Sequence, residues 1–290
     1  MKGRGIDFKH RFNTSRWAED LLIDSLGPKY GLLTTRFGLS EVKPDDELVY
    51  GNSPYKEPDL LVYKLKDLTK EEVAFLRKPD ALVDEDRRKF GNNGDLKFVL
   101  NKALAALEIE FSPYKASEMK QRNWELKTPE QWQRRPLKHA NPPTAPNIWV
   151  KEEDLAKLVA WEAHHRVPIL VVHVFNQEGF AIKLKEVARF DESYKSAKSD
   201  EKRRMLQVTG GIFKKIQNYD RIDAQGAGEQ KTVFVITPAV AIKVGDVTGV
   251  KVKAQLGISS SKKYVSHVLF KGGKLEASNE LLELLAHMRD

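Results

Sequence analysis

The sequence predicts an α/β (α+β) chain in which a central mixed sheet is flanked by helices and followed by a strand-rich, basic C-terminal part. Three observations predict it. The runs "PDLLVYKL" (Pro58 to Leu65) and "VPILVVHVF" have the length and branching of buried strands. Segments of helical period, "TSRWAEDLLIDSLG" and "KEEDLAKLVAWEAHHR", are interleaved with them. From Lys231 onward the apolar residues alternate with strand period, in "KTVFVITP", "AVAIKV", "VKVKAQLGI" and "YVSHVLF".

The first helix has Thr14 or Ser15 as its N-cap, apolar positions at Trp17, Leu21 and Leu22, and Gly27-Pro28 as its stop. An irregular stretch follows, with "VKPDDE" and "GNSPYKEP" as turn signals, before the strand that Pro58 opens. "TKEEVAFLRK" and "NNGDLKFVLNKALAAL" both have helical spacing, the second capped by Asp95 and running into a strand at "EIEF". Between Lys120 and Asn147 the chain turns irregular and carries five prolines in "KTPEQWQRRPLKHANPPTAPN", the mark of a functional or disordered segment. The helix after Trp149 leads into "VPILVVHVF", for which "GFAIKL" is the expected hairpin partner. "ESYKSAKSDEKRRM" reads as a solvated charged helix or linker, and "ASNELLELLAHMRD" as a terminal helix.

The 290 residues can bury a large core, as one big domain or two smaller ones. No apolar stretch approaches bilayer length and the start lacks a secretory signal, so the expected location is cytoplasmic, with no membrane partner. Zero cysteines exclude disulfides, thiolate metal sites and a cysteine nucleophile, so any metal is held by carboxylate, carbonyl or imidazole. The net charge is +8. From Ala181 to Lys274 there are 19 Lys or Arg against 9 Asp or Glu, so the C-terminal part carries more than the whole excess. Such a region is either a solvated basic surface or a nucleic-acid contact region.

Residues 108 to 115, "EIEFSPYK", raise the chemical question. In a strand Glu108 and Glu110 share one face while Ile109 and Phe111 share the other. The repulsion between two such acids is relieved by a cation, a shared proton or water. A solvated strand edge is the alternative. Asp59 stands at the start of an apolar strand, where its desolvation is costly unless something positive lies near. If the two strands are neighbours, Asp59, Glu108 and Glu110 converge as hard oxygen ligands suited to Mg²⁺ or Mn²⁺.

Pro58-Asp59 on one strand and the acid-X-acid of Glu108 and Glu110 on the next resemble the PD-(D/E)XK nucleases, best known from type II restriction endonucleases. Glu110 stands where the family motif usually has lysine, as in its BamHI-like branch. The resemblance spans the order of elements over roughly the first 180 residues. It implies a restriction-endonuclease-like core and Mg²⁺-dependent hydrolysis of phosphodiester bonds at specific sites in double-stranded DNA. The implied metal ligands are Asp59, Glu108 and Glu110, with Glu19 on the first helix as a further acid and Lys115 assisting the chemistry. It also implies a nuclease core over residues 1–190, a DNA-binding part over 191–290 packed on it as one unit, and a homodimer matching a palindromic duplex. A cognate DNA methyltransferase is expected in the same system. A repair or defence nuclease of lower specificity, a non-catalytic DNA- or RNA-binding protein and a basic globular protein with no nucleic-acid role remain alternatives.

Lys120, Arg122, Arg134 and Arg135, beside or within the proline-rich segment, and Lys262 and Lys263 in "SSSKK" are candidate DNA contacts. Lys115 is a phosphate or water contact, or a solvated lysine. His164-His165 is rejected as a metal site, because adjacent helical residues do not face one ligand. His173 is read as a buried histidine with its hydrogen bonds made. "TGG" and "GAG" lack nucleotide-loop spacing, and Pro79-Asp80 is read as a turn.

Overall fold

The computed structural model describes residues 6–38, 55–78, 81–82, 87–112, 148–222, 228–237, 240–258 and 264–289. Seven strands form one sheet, in the order β1 (Leu32–Arg36), β2 (Leu60–Lys64), β3 (Ala103–Phe111), β5 (Ile169–Val174), β6 (Glu178–Lys183), β9 (Ile242–Ile258) and β10 (Tyr264–Ala277). β3 and β5 are parallel and every other neighbouring pair is antiparallel, so the sheet is mixed. A second sheet orders β4 (Ile148–Lys151), β8 (Gly228–Ile236) and β7 (Ile212–Ile222).

Both faces of the long sheet are covered. Trp17, Leu21 and Leu22 of α1 (Ile6–Ser25) and Leu281 and Leu285 of α7 (Asn279–Ala286) pack on the face carrying Leu60, Val62, Leu107 and Ile109. The other face, carrying Leu61, Tyr63 and Ala106, receives Leu155, Leu158 and Trp161 of α4 (Glu152–His165) and Val187 and Phe190 of α5 (Leu184–Ser196). Phe234 and Ile236 of the second sheet join that cluster. Burial on two sides explains why β2 and β5 read as unbroken apolar runs. Lys214 on β7 ties the second sheet to both helices, reaching Glu152 at 2.5 Å and Asp191 at 3.2 Å.

The expected hairpin between "VPILVVHVF" and "GFAIKL" is present, with β5 and β6 paired from Leu170↔Lys183 to Val174↔Gly179. Other expectations are corrected. α1 does not start at Thr14 or Ser15, since its helical turns run from Ile6. "NNGDLKFVLNKALAAL" is not one helix capped by Asp95: α3 is only Phe98–Asn101, with Lys97 as an N-cap that makes no side-chain bond, and β3 begins at Ala103. Alanine's helix preference is overruled there by pairing with β2 and β5, which leaves Ala103, Ala105 and Ala106 fully buried. β1, β4 and β7 occupy stretches that carried no strand prediction. The charged segment around Ala197 is a break between α5 and α6 (Asp200–Gly210), whose N-cap Ser199 accepts from the Lys202 N–H. The basic C-terminal strands β9 and β10 continue the long sheet beyond β6.

Candidate functional site

Asp59 owes its position to two constraints just before β2. The Phe37 N–H donates to the Asp59 carbonyl at 2.8 Å, and Gly38 passes so close that a Cβ there would meet the Pro58 carbonyl oxygen at 2.5 Å. The Asp59 carboxylate crosses to the neighbouring strand and accepts the Ile109 N–H at 2.7 Å. β2 and β3 are adjacent, with Leu60 opposite Leu107, so Asp59 lies beside the acidic end of β3.

Glu108 is buried at 5% exposure, and Glu110, two residues on, is partly buried. A freely solvated edge is therefore not what this row is. Lys56, three residues before Asp59, places its ammonium 2.5 Å from Glu108 Oε1 and 3.1 Å from Asp154 Oδ2 in the first turn of α4. The second Glu108 oxygen, Oε2, is buried without a hydrogen-bond partner among the described residues. Lys151 adds a longer pair to Asp154 at 3.6 Å.

Glu19 reaches this end of the sheet from α1. It is fully buried, its Oε2 accepts from Arg36 Nε at 2.9 Å, and its Oε1 has no partner among the described residues. Arg36, at the end of β1, also pairs with Asp20.

The electrostatics bind these groups into one cluster. Burial pushes the Asp59 carboxyl well above the usual carboxylate range, and the charges of Glu108 and Glu19 push it further, against the Ile109 N–H and Lys56. Burial also raises Glu19 against its Arg36 bond, and raises Glu110 against the charges of Lys151 and Lys56. Burial works against the Lys56 ammonium, but Glu108 and Asp154 outweigh it and hold the charge in place. Asp154 is lowered, its burial outweighed by Lys56 and Lys151. Asp59, Glu19 and Glu110 are thus acids whose burial raises their affinity for protons, while the Lys56 ammonium is held by Glu108 and Asp154.

Among the described residues no group of three or more His, Asp or Glu side chains is already disposed to hold a metal ion. The cation standing against Glu108 is Lys56. The donor chemistry fits a hard divalent ion: the Asp59 and Glu108 carboxylates repel each other, and Glu108 Oε2 is buried without a partner among the described residues.

Of the sequence-predicted residues, Asp59 lies beside Glu108 and Glu110 on the paired strands β2 and β3, and Glu19 acts on Asp59 through its charge from α1. Lys115, Lys120, Arg122, Arg134, Arg135, Lys262 and Lys263 lie outside the described residues, as does Pro79-Asp80. Sequence reasoning missed Lys56, Arg36, Lys151 and Asp154. The signal for Lys56 is present in "YKEPD", a lysine one turn-length ahead of the strand acid. His173 is corrected: it is buried, but both ring nitrogens lack partners among the described residues, and burial drives it down to about 3. The ring lies parallel to Phe175, with centroids 4.4 Å apart. His164 stacks on Tyr55, and burial and His164 lower His165 to about 4. Among the described residues no helix is long and apolar enough to cross a membrane. No family model matches this chain, and no curated protein or solved structure matches it either.

Proposed function

We propose that this chain is a Mg²⁺-dependent endonuclease that hydrolyses phosphodiester bonds in double-stranded DNA at specific sites, on a restriction-endonuclease-like core, as a cytoplasmic homodimer. The observation that carries the reading is the meeting of Asp59 and Glu108 on paired strands, with the Lys56 ammonium against Glu108 and Glu19 within electrostatic reach of Asp59. An acid pair kept partly out of water, at a cost to the fold, has a reason when a cation and a phosphate are to be held there.

Asp59 and Glu108 would hold Mg²⁺, or Mn²⁺ in its place, with Glu110 and Glu19 as further acids. When bound, the ion would supply charge stabilisation at the phosphodiester and a lowered pKa for water. The chain's own groups do the positioning. The Ile109 N–H fixes the direction of the Asp59 carboxylate. Glu110 orients the attacking water and accepts its proton, its raised proton affinity suiting a general base. Water oxygen bonds to phosphorus as the bond to the leaving sugar oxygen breaks, and that oxygen takes a proton from solvent. Lys56 supplies the positive charge that the family motif places two residues after the second acid. It reaches the site from the start of β2, a role the sequence assigned to Lys115.

The test is incubation of the purified chain with long phage DNA, with Mg²⁺ and with EDTA. Discrete fragments only with Mg²⁺, abolished by Asp59→Ala with duplex binding kept, are the expected result. A smear favours the less specific nuclease. DNA left intact throughout returns the chain to the binding-protein reading.

A further inference from the structure

β9 and β10 form a hairpin of 17 and 14 residues whose strands pair from Gly245↔Ala277 to Ile258↔Tyr264. Its base is held to the core on one side. Phe270 packs on Trp17, with ring centroids 5.0 Å apart, and on Phe111, at 5.1 Å. The Trp17 indole N–H donates to the Gly272 carbonyl at 2.7 Å. Gly249, Gly272 and Gly273 adopt φ of 69°, 65° and 97°, a left-handed cluster that bends both strands at the same level. Phe111, at the end of β3, meets the ribbon on the face opposite Glu110.

Just past this bend Lys251 stands directly opposite Lys271. Directly opposed residues on antiparallel strands share a face, and like charges there repel. Lys253 lies two residues along from Lys251 and so joins the same face. All three are exposed, and none forms an ion pair among the described residues, whereas Lys243 and Lys274 close by are paired to Asp246 and Glu276. Alternation with Phe270 turns this face away from α1. Three ammonium groups on a strand pair, two of them directly opposed, gain when a polyanion lies along them.

We infer that the Lys251, Lys253 and Lys271 face of the ribbon is a docking surface for the phosphate backbone of duplex DNA. This rests on the nuclease reading above for the choice of duplex. The contact holds the duplex by its backbone and carries no base information. A two-stranded ribbon is slim enough to follow a groove of B-DNA, so its lysines meet phosphates along the groove wall.

The test uses the full chain and a fluorescein-labelled duplex several helical turns long. Anisotropy titrations in EDTA at several salt concentrations are run for the wild type, the Lys251→Ala/Lys253→Ala/Lys271→Ala variant and the matching triple arginine variant. Thermal melts check that each is folded. The alanine variant is expected to bind about tenfold or more weakly, with a salt slope shallower by about two to three, and the arginine variant to bind like the wild type. Mg²⁺-dependent cleavage by the alanine variant should lose KM and keep kcat. A wild type that cleaves duplex while the alanine variant binds with unchanged affinity and slope overturns the ribbon and leaves the nuclease standing. A wild type that neither binds nor cleaves duplex overturns both. Tighter binding of single-stranded RNA of equal length, lost in the alanine variant, overturns duplex DNA as the partner.

Discussion

The Asp59 carboxylate accepts the Ile109 N–H at 2.7 Å, between the two acids of β3. A backbone donor is spent on a side chain from the next strand, so the acid is locked in place while burial and the charges of Glu108 and Glu19 make its ionised form costly. The three acids with raised affinity for protons favour the folded state below their ordinary carboxylate range and weaken it as pH rises through their raised folded values.

Asp59→Asn keeps an acceptor for the Ile109 N–H and removes the charge. We predict that it abolishes Mg²⁺-dependent cleavage and raises stability at neutral pH by about 1 kcal/mol, the trade expected of a site that works against the fold. Mg²⁺ should raise the melting temperature of the wild type and leave that of the variant unmoved. Thermal melts with and without Mg²⁺ check both points, and a destabilised variant would falsify the view that Asp59 is held against a penalty.

Lys56 bridges Glu108 and Asp154 with its side chain about one-third exposed. Lys56→Met leaves two acids without their cation, and we predict a loss of about 1 to 3 kcal/mol, short of a fully buried pair because solvent screens it. Cleavage should fall by about 10² or more if the ammonium serves the reacting phosphate. Mg²⁺ should stabilise Lys56→Met more than the wild type, because the ion takes over neutralisation of Glu108. Equal metal-induced shifts in Tm for the two proteins would separate Lys56 from the metal site.

Glu19 is fully buried and Arg36 is its partner. Arg36→Met strands a buried carboxylate and is predicted to cost about 3 kcal/mol in urea unfolding, with much of it recovered in the Glu19→Gln/Arg36→Met double variant. Glu19→Gln alone should keep the fold. Its cleavage rate then reports whether Glu19 contributes beyond that ion pair, and an unchanged rate assigns it to structure.

Much of the fold was legible because the buried strands carry their own pattern. "PDLLVYKL" and "VPILVVHVF" are apolar on both faces, as strands between two helical layers must be, and Asp59 is conspicuous for interrupting that pattern. β1 was illegible, because "LLTTR" is too short for a period and Thr34 and Thr35 are buried despite their polarity, with the Thr34 hydroxyl donating to the Leu26 carbonyl. β3 was legible only at its acidic end, since its alanines advertise a helix that two flanking strands forbid. At the site, the acids show in sequence by their own pattern, while their cation shows only as the lysine of "YKEPD" ahead of the strand acid. Lys56 lies in a turn-rich stretch, and only the pairing of β2 with β3 turns it toward Glu108.

His173 offers the sharpest pH experiment. Its ring is buried and stacked on Phe175, with both nitrogens unpartnered among the described residues, and burial lowers it to about 3. Below its ordinary value near 6.5 the unfolded chain takes up a proton that the folded chain refuses, so stability drains away as pH falls toward the folded value. The slope from this group is about 1.4 kcal/mol per pH unit across that window. The acids of the cluster act with the opposite sign from their ordinary carboxylate values upward, within the same range, so the wild-type curve alone is ambiguous. His173→Phe keeps the stacking and removes the titration, and the difference between the two proteins isolates the histidine. We predict that the variant is more stable by about 1 kcal/mol at neutral pH, where two buried polar atoms are gone, and that its advantage widens steadily on acidification. Urea unfolding at a series of pH values measures it. A difference that stays flat from neutral to acid would mean that the imidazole takes up its proton in the folded chain as readily as in the unfolded one and has found a partner, for which Glu110, its register neighbour on β3, is the candidate.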